Sequence, residues 1–258
     1  TAMNDTFNFK RFGKYFASDL TRLFSENWLK VLCFGLIPVF GLILSYMFSL
    51  FVPGEYEYIG LGTREFFLAA TAAIFSVWIP SACYGYVTDK RAGSNYILIP
   101  ASVLEKTVSV IINAAAIVPA AFLVIYAVSD LVATLVTGTA VSETLLMNMS
   151  AWNLSELFGD GVDGYALISL HISILYFILG AVFFRRGKIS KTILVLFGLG
   201  VLCLFIMLMV LKGFSDNGFD GLEQLDESVF RGLTTAALVI QAIVLYILIY
   251  FRIKKIQQ

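Results

Sequence analysis

Few groups suited to chemistry occur in this chain of 258 residues, and their spacing narrows what it does. The stretch from Tyr96 to Ile112, YILIPASVLEKTVSVII, sets Pro100, Ser102, Glu105 and Lys106 between two apolar runs. A second polar stretch, DNGFDGLEQLDE, places Asp216, Asp220, Gly221, Gln224 and Glu227 at the first, fifth, sixth, ninth and twelfth positions of an EF-hand calcium loop. Gly218 and Glu223 depart from that pattern, and an acidic, glycine-rich turn capping a short external helix is the alternative. Within the apolar segments the polar side chains are Asn113, His171 and Gln241. No acid at matching depth makes His171 a proton carrier, and hydrogen bonds between helices are the expected use of all three. HExxH, GxSxG and Walker patterns are absent, so the chain reads as no enzyme, with no ATP site or cofactor of its own. Cys33, Cys83 and Cys203 form no CxxC pair and are expected to pack in the core.

The elements that must position these residues are membrane helices. The chain is 59% hydrophobic and 14% charged, with 23 Phe; a soluble domain has about 45 to 50% apolar and about 25% charged residues. Because a run of roughly 20 apolar residues crosses the hydrocarbon core as a helix, six spans are expected, at about 29–52, 66–87, 107–129, 165–184, 191–211 and 233–251. Fifteen of the 18 Lys and Arg fall in the N-terminal segment, the second and fourth connections and the tail 252–258, whereas 13 of the 18 acids fall in the other three loops. Positive residues are retained in the cytoplasm. Both termini and the YILIPASVLEK stretch are therefore expected to be cytoplasmic, with acidic outer loops at 130–164 and 212–232.

The segment 1–28 carries Phe9, Phe12, Phe16, Leu20, Leu23 and Phe24 at helical spacing, with bases mostly elsewhere, which predicts an amphipathic helix on the membrane surface. Thr1-Ala2 ahead of Met3 reads as the remnant of a purification tag, and no cleavable signal peptide is expected. Pro38, Pro80 and Pro119 lie inside the first three spans and are expected to kink them. Runs of alanine at 69–73 and 114–116 let helices approach closely. The loop 130–164 is expected to cover the external mouth, through Trp152, Leu154, Leu157 and Phe158, and a short helix is expected around Leu222 to Phe230. Asn148-Met149-Ser150 and Asn153-Leu154-Ser155 match glycosylation acceptors on the outer side, a pattern that Asn4-Asp5-Thr6 also meets.

From Thr88 to Asn113 the sequence TDKRAGSNYILIPASVLEKTVSVIIN resembles a signature of the membrane subunits of type 2 ATP-binding-cassette exporters. In that family the connection between the second and third spans carries a charge, a Gly, a Leu-x-Pro-x-Ser turn and an amphipathic segment ending in Lys. The matching residues are Lys90, Arg91, Gly93, Leu98, Pro100, Ser102, Glu105 and Lys106. The long loop between spans three and four, and an acid displaced to Asp89, depart from the pattern. The resemblance implies an all-α polytopic protein of a bacterial inner membrane, paired with a second membrane subunit, identical or not, and with a separate ATPase that binds ATP and magnesium. It further implies that the element 93–106 sits in a groove of that ATPase, with Pro100 fixing the turn, Ser102 capping the next helix, and Glu105 and Lys106 supplying polar contacts or anchoring span three. An apolar bundle suits a lipid-like, peptide or other amphipathic cargo. The alternative is a six-span scaffold, sensor or assembly or immunity protein with no ATPase partner; a solvated turn would then account for the same residues. Nothing in the sequence calls for nucleic acid.

Overall fold

A computed structural model describes residues 7–51, 60–89, 92–138, 144–145, 163–216 and 227–257, and it is all-helical among them. The candidate glycosylation sites, Lys90, Arg91, Asp220 and most of the loop 130–164 lie outside the described residues.

Helix α1, Phe9–Gly35, begins where Asn8 turns to an extended backbone and its side chain accepts the amides of Lys10 and Arg11, so two of the four orphan amides of a helix start are satisfied. It then runs for 27 residues through the point expected to divide a surface helix from the first span. The break comes at Leu36. Helix α2, Ile37–Ser49, starts there with Pro38 in its first turn, and the two helices meet at a bend of 43°. Proline donates no amide bond to the preceding turn, which places the bend at the end of α1 rather than inside a continuous span. Tyr15, Asp19, Leu23, Asn27, Val31 and Gly35 form the buried stripe of α1, one residue every fourth position. Phe9 is exposed, and Phe12, Phe16, Leu20 and Phe24 are half-buried beside that stripe.

Helix α3, Leu61–Tyr84, passes through Pro80 into a 3-10 turn, Gly85–Thr88. A short helix α4, Ala92–Leu98, and the turn 99–102 lead to α5, Val103–Ile112. A π turn over Asn113–Ile117 joins α5 to α6, Val118–Thr137, with Pro119 in the first turn of α6. Here the widened turn absorbs the missing amide, and the two helices form one long apolar rod. Helices α7, Asp163–Phe183, α8, Lys188–Asp216, and α9, Glu227–Gln257, complete the chain. Glu227 to Phe230, expected in a separate short helix, belongs to α9, as does the basic tail.

Four helical stretches among the described residues are long and apolar enough to cross a membrane: Gly62–Thr88, Val103–Thr137, Lys188–Met209 and Thr234–Ile256. The bent pair α1–α2 makes a fifth if counted as one span, and α7 contributes the shorter apolar stretch Ile168–Phe183. These helices support a membrane protein; six complete spans exceed what the described residues supply.

Helix α7 packs on α3, α8 and α9, while α6 packs on α1 and α2 and α5 touches both α1 and α9. Phe75 of α3 and Phe122 of α6 stack at 4.4 Å, with Phe34 of α1 set edge-on against Phe75. Gly35 lets α1 meet α6 at a point where a Cβ would collide with Ile125, and the Ser129 hydroxyl donates to the Gly35 carbonyl at 2.6 Å. Lipid tails are as apolar as leucine, so helices in a bilayer hold together by close approach and polar links rather than by burial alone. The links are numerous here. His171 Nε2 of α7 meets Tyr246 Oη of α9 at 2.6 Å, Gln241 of α9 donates to Tyr176 of α7, and Arg252 of α9 donates to the last carbonyls of α7, Val182 and Phe183. Lys188 likewise caps α3 through the Gly85 carbonyl. These bases lie at helix C-termini, whose unpaired carbonyls favour cations.

At the opposite end of the bundle Arg64, in the first turn of α3, meets Asp130 of α6 at 3.0 Å, both buried, and Asp130 also accepts the Leu145 amide at 2.8 Å. This pair ties the loop after α6 to two spans. Removing one partner strands a buried charge, so Asp130→Ala is expected to lower stability by about 3 to 5 kcal/mol. The pair Arg64→Met with Asp130→Leu is expected to cost less than the sum of its single changes. Thermal unfolding of the detergent-solubilised variants checks both.

Candidate functional site

The turn between α4 and α5 is held by a dense set of hydrogen bonds. Ser102 has an extended backbone and its hydroxyl accepts the Glu105 amide at 3.2 Å, while Glu105 Oε2 accepts the Ser102 amide at 2.9 Å. This reciprocal capping box starts α5. The same carboxylate reaches another helix. Glu105 Oε1 accepts the Asn8 amide at 2.8 Å, and Arg11 donates from Nε and Nη2, each at 2.8 Å to one of the two oxygens. Glu105 is wholly buried. Its charge is stable there because the guanidinium fork and two backbone amides replace the lost water.

Lys106, next along, is also wholly buried; its Nζ donates to the Tyr96 carbonyl at 2.8 Å and lies 4.9 Å from the centre of the Tyr96 ring. That bond fastens the end of α4 to the first turn of α5. Glu105 and Lys106 are thus buried and bonded within the chain. Gly93 is fixed by a close approach: a Cβ there would stand 2.5 Å from the Val87 carbonyl oxygen, and its amide donates to the Asp89 carbonyl at 2.9 Å. Leu98 and Pro100, by contrast, are exposed, with Leu98 at 78%.

One helical turn deeper, Asp19 of α1 makes a second hub. Its Oδ2 accepts from Tyr84 at 2.7 Å, Ser109 at 2.8 Å and Asn113 at 3.0 Å, and its Oδ1 accepts Arg22 at 2.8 Å. The guanidinium of Arg22 in turn lies 4.2 Å over the Tyr86 ring. Asp19 thereby joins α1, α3 and the α5–π junction. Asn113 belongs to this network, whereas His171 and Gln241 bond between α7 and α9 and do not enter it. The calcium-loop residues fall at the junction of α8 and α9, with Asp216 the last residue of α8, Glu227 the first of α9 and Asp220 outside the described residues.

Asn8, Arg11, Asp19 and Tyr84 were not anticipated as site residues. A signal for Asp19 exists, since Tyr15, Asp19, Leu23, Asn27 and Val31 recur every fourth position beside the more obvious aromatic residues. For Glu105 and Arg11, 94 residues apart, spacing carries no such signal.

The arrangement is built of hydrogen bonds and ion pairs that cross between helices. It links the start of α1, the α4 turn and the start of the longest apolar rod into one unit, with an apolar tip at Ile97, Leu98 and Leu104 facing outward. Comparison of the chain with family models, curated proteins and solved structures found no match.

Glu105→Ala is expected to destabilise the fold by about 3 kcal/mol or more, because it removes the carboxylate that Arg11 and two backbone amides share. Leu98→Ala, at an exposed site, is expected to stay within about 0.5 kcal/mol of the parent. Thermal midpoints of the two variants in the same detergent compare them directly.

Proposed function

We propose that this chain is the membrane-spanning subunit of an ATP-driven exporter in a bacterial inner membrane. In this reading six helices cross the bilayer, both termini are cytoplasmic, and a separate ATPase subunit drives the chain through residues 93–106. The observation that carries it is the joining of an exposed apolar tip, Ile97, Leu98 and Leu104, to a buried clamp at Glu105 that also holds the start of α1. Force applied to the tip would pass into α1 through Arg11 and into the α5–α6 rod through its first turn, with no flexible joint between them. Rigid-body rocking of packed helices is an established way of alternating between two membrane states. The resemblance of 88–113 to the exporter signature supports the same assignment, as does the excess of bases on this side of the chain.

The reading includes a second membrane subunit, identical or different, and the almost entirely exposed apolar surface of α8 leaves room for one or for lipid. The cargo class that suits the apolar interior is a lipid-like, peptide or other amphipathic molecule. Neither ATP nor magnesium is bound by this chain in the mechanism; both belong to the ATPase.

The test is cross-linking in native membranes from a cysteine placed by Leu98→Cys in a background with Cys33 and Cys203 changed to Ser, which leaves only the buried Cys83 beside it. A cross-link to a nucleotide-binding-cassette ATPase, weakened when ATP and vanadate are added, is expected. A tip that cross-links only to lipid or to a protein without a nucleotide site contradicts the exporter assignment and favours a membrane scaffold.

A further inference from the structure

Between the end of α7 and the start of α8 the chain reads Phe184-Arg185-Arg186-Gly187, and Arg252 near the end of α9 lies against the same corner. Arg252 joins the two: its Nε donates to the Val182 carbonyl and its Nη2 to the Phe183 carbonyl, each at 3.1 Å, with the guanidinium 4.7 Å over the Phe183 ring. Gly187, at φ 62°, turns the corner in the left-handed region that favours glycine, and Arg185 and Arg186 are exposed on it. Between this corner, the end of α9, the 3-10 turn and α4 lies a cavity of about 390 Å³, with Arg185, Arg252 and Lys255 in its wall.

The charges of the wall do not balance. Asp89 is its acid, and Lys188 already takes that carboxylate at 2.9 Å. Arg252 is held by neutral carbonyls that occupy two of its five N–H groups, and neither Arg185 nor Lys255 forms an ion pair among the described residues. Three positive charges from two elements therefore line one cavity without a counter-charge, and the exposed Arg186, Lys191 and Lys254 add to the field at the same helix ends. A cleft lined by one sign of charge focuses its field and gathers counter-ions. The cavity also lies where apolar helix gives way to charge: the apolar stretches of α7 and α9 end at Phe183 and Ile256, and that of α8 begins at Lys188. Phe183 and Phe251 are exposed beside the charges, as aromatic residues of a bilayer interface are, and further along α8 Leu194 and Phe197 are exposed as well.

We propose that this corner binds the headgroup of an anionic phospholipid, with Arg252 as the fixed donor of the wall and Arg185 and Lys255 as the mobile cations around the phosphate. A lipid fits better than a soluble anion because the cations border an open apolar surface, so that one molecule meets the charge with its phosphate and the exposed helices with its acyl chains. The inference does not depend on the exporter reading, since it uses only the groups of this corner.

The experiment is native mass spectrometry of the purified full chain in detergent, titrated separately with dioleoylphosphatidylglycerol, dioleoylphosphatidylcholine and inorganic phosphate. Saturable binding of one phosphatidylglycerol is expected, weakened about tenfold or more by Arg185→Gln with Lys255→Gln and severalfold by Lys255→Gln alone. Lys10→Gln with Lys14→Gln removes the same charge from exposed positions of α1 and is expected to leave the binding within about twofold. Arg252 stays in place in every variant because it also caps α7. The Arg185 and Lys255 changes are at exposed positions and are expected to keep the thermal midpoint, which separates loss of binding from loss of structure. Equal binding of phosphatidylcholine, equal weakening by the two paired variants, or binding of inorganic phosphate in place of the lipid overturns the proposal.

Discussion

The burial of one carboxylate, that of Glu105, organises the end of the molecule where α1, α4 and α5 meet. An ionised group removed from water survives only if every oxygen is matched by donors fixed in place. Here the donors come from two backbone segments and one side chain: the Ser102 amide, the Asn8 amide and Arg11. Each requirement constrains a different element. The Ser102 bond sets where α5 begins, the Asn8 bond sets where α1 begins, and the Arg11 fork sets the rotation of α1 about its own axis. That rotation then decides which residues of α1 face inward, and Asp19, two turns on, falls beside Tyr84, Ser109 and Asn113.

The polar character of this end contrasts with the middle of the bundle, where Phe75, Phe122, Ile178 and Ile249 pack without charge. At the far end the Arg64–Asp130 pair repeats the device on a smaller scale. The long rod α5–π–α6 therefore carries a buried acid near each end, Glu105 and Asp130, each paired with an arginine from a different helix.

Much of the architecture was legible in the sequence because apolar length and the absence of charge are local properties. The helices at 61–84, 103–137, 188–216 and 227–257 follow the expected apolar runs, and Pro38 and Pro119 mark real irregularities. Helix ends were less legible. Asp130 was assigned to an outer loop because it is charged, yet Arg64 neutralises it inside α6; Glu227 likewise belongs to α9. The stretch 93–106 stood out through its proline and charges, but local sequence could not distinguish charges that meet solvent from charges that meet Arg11 and the Tyr96 carbonyl. That distinction rests on contacts between residues 10 and 94 positions apart.

The account depends on residues 8–12 and 102–107 behaving as one body. Hydrogen–deuterium exchange of the full chain, parent against Glu105→Ala, measures this most directly. The account predicts that the amides of both segments are protected to a similar degree in the parent and lose protection together in the variant, while α7 keeps its own. Fast exchange of 102–107 in the parent, or a variant in which 8–12 stays as protected as before, would contradict it.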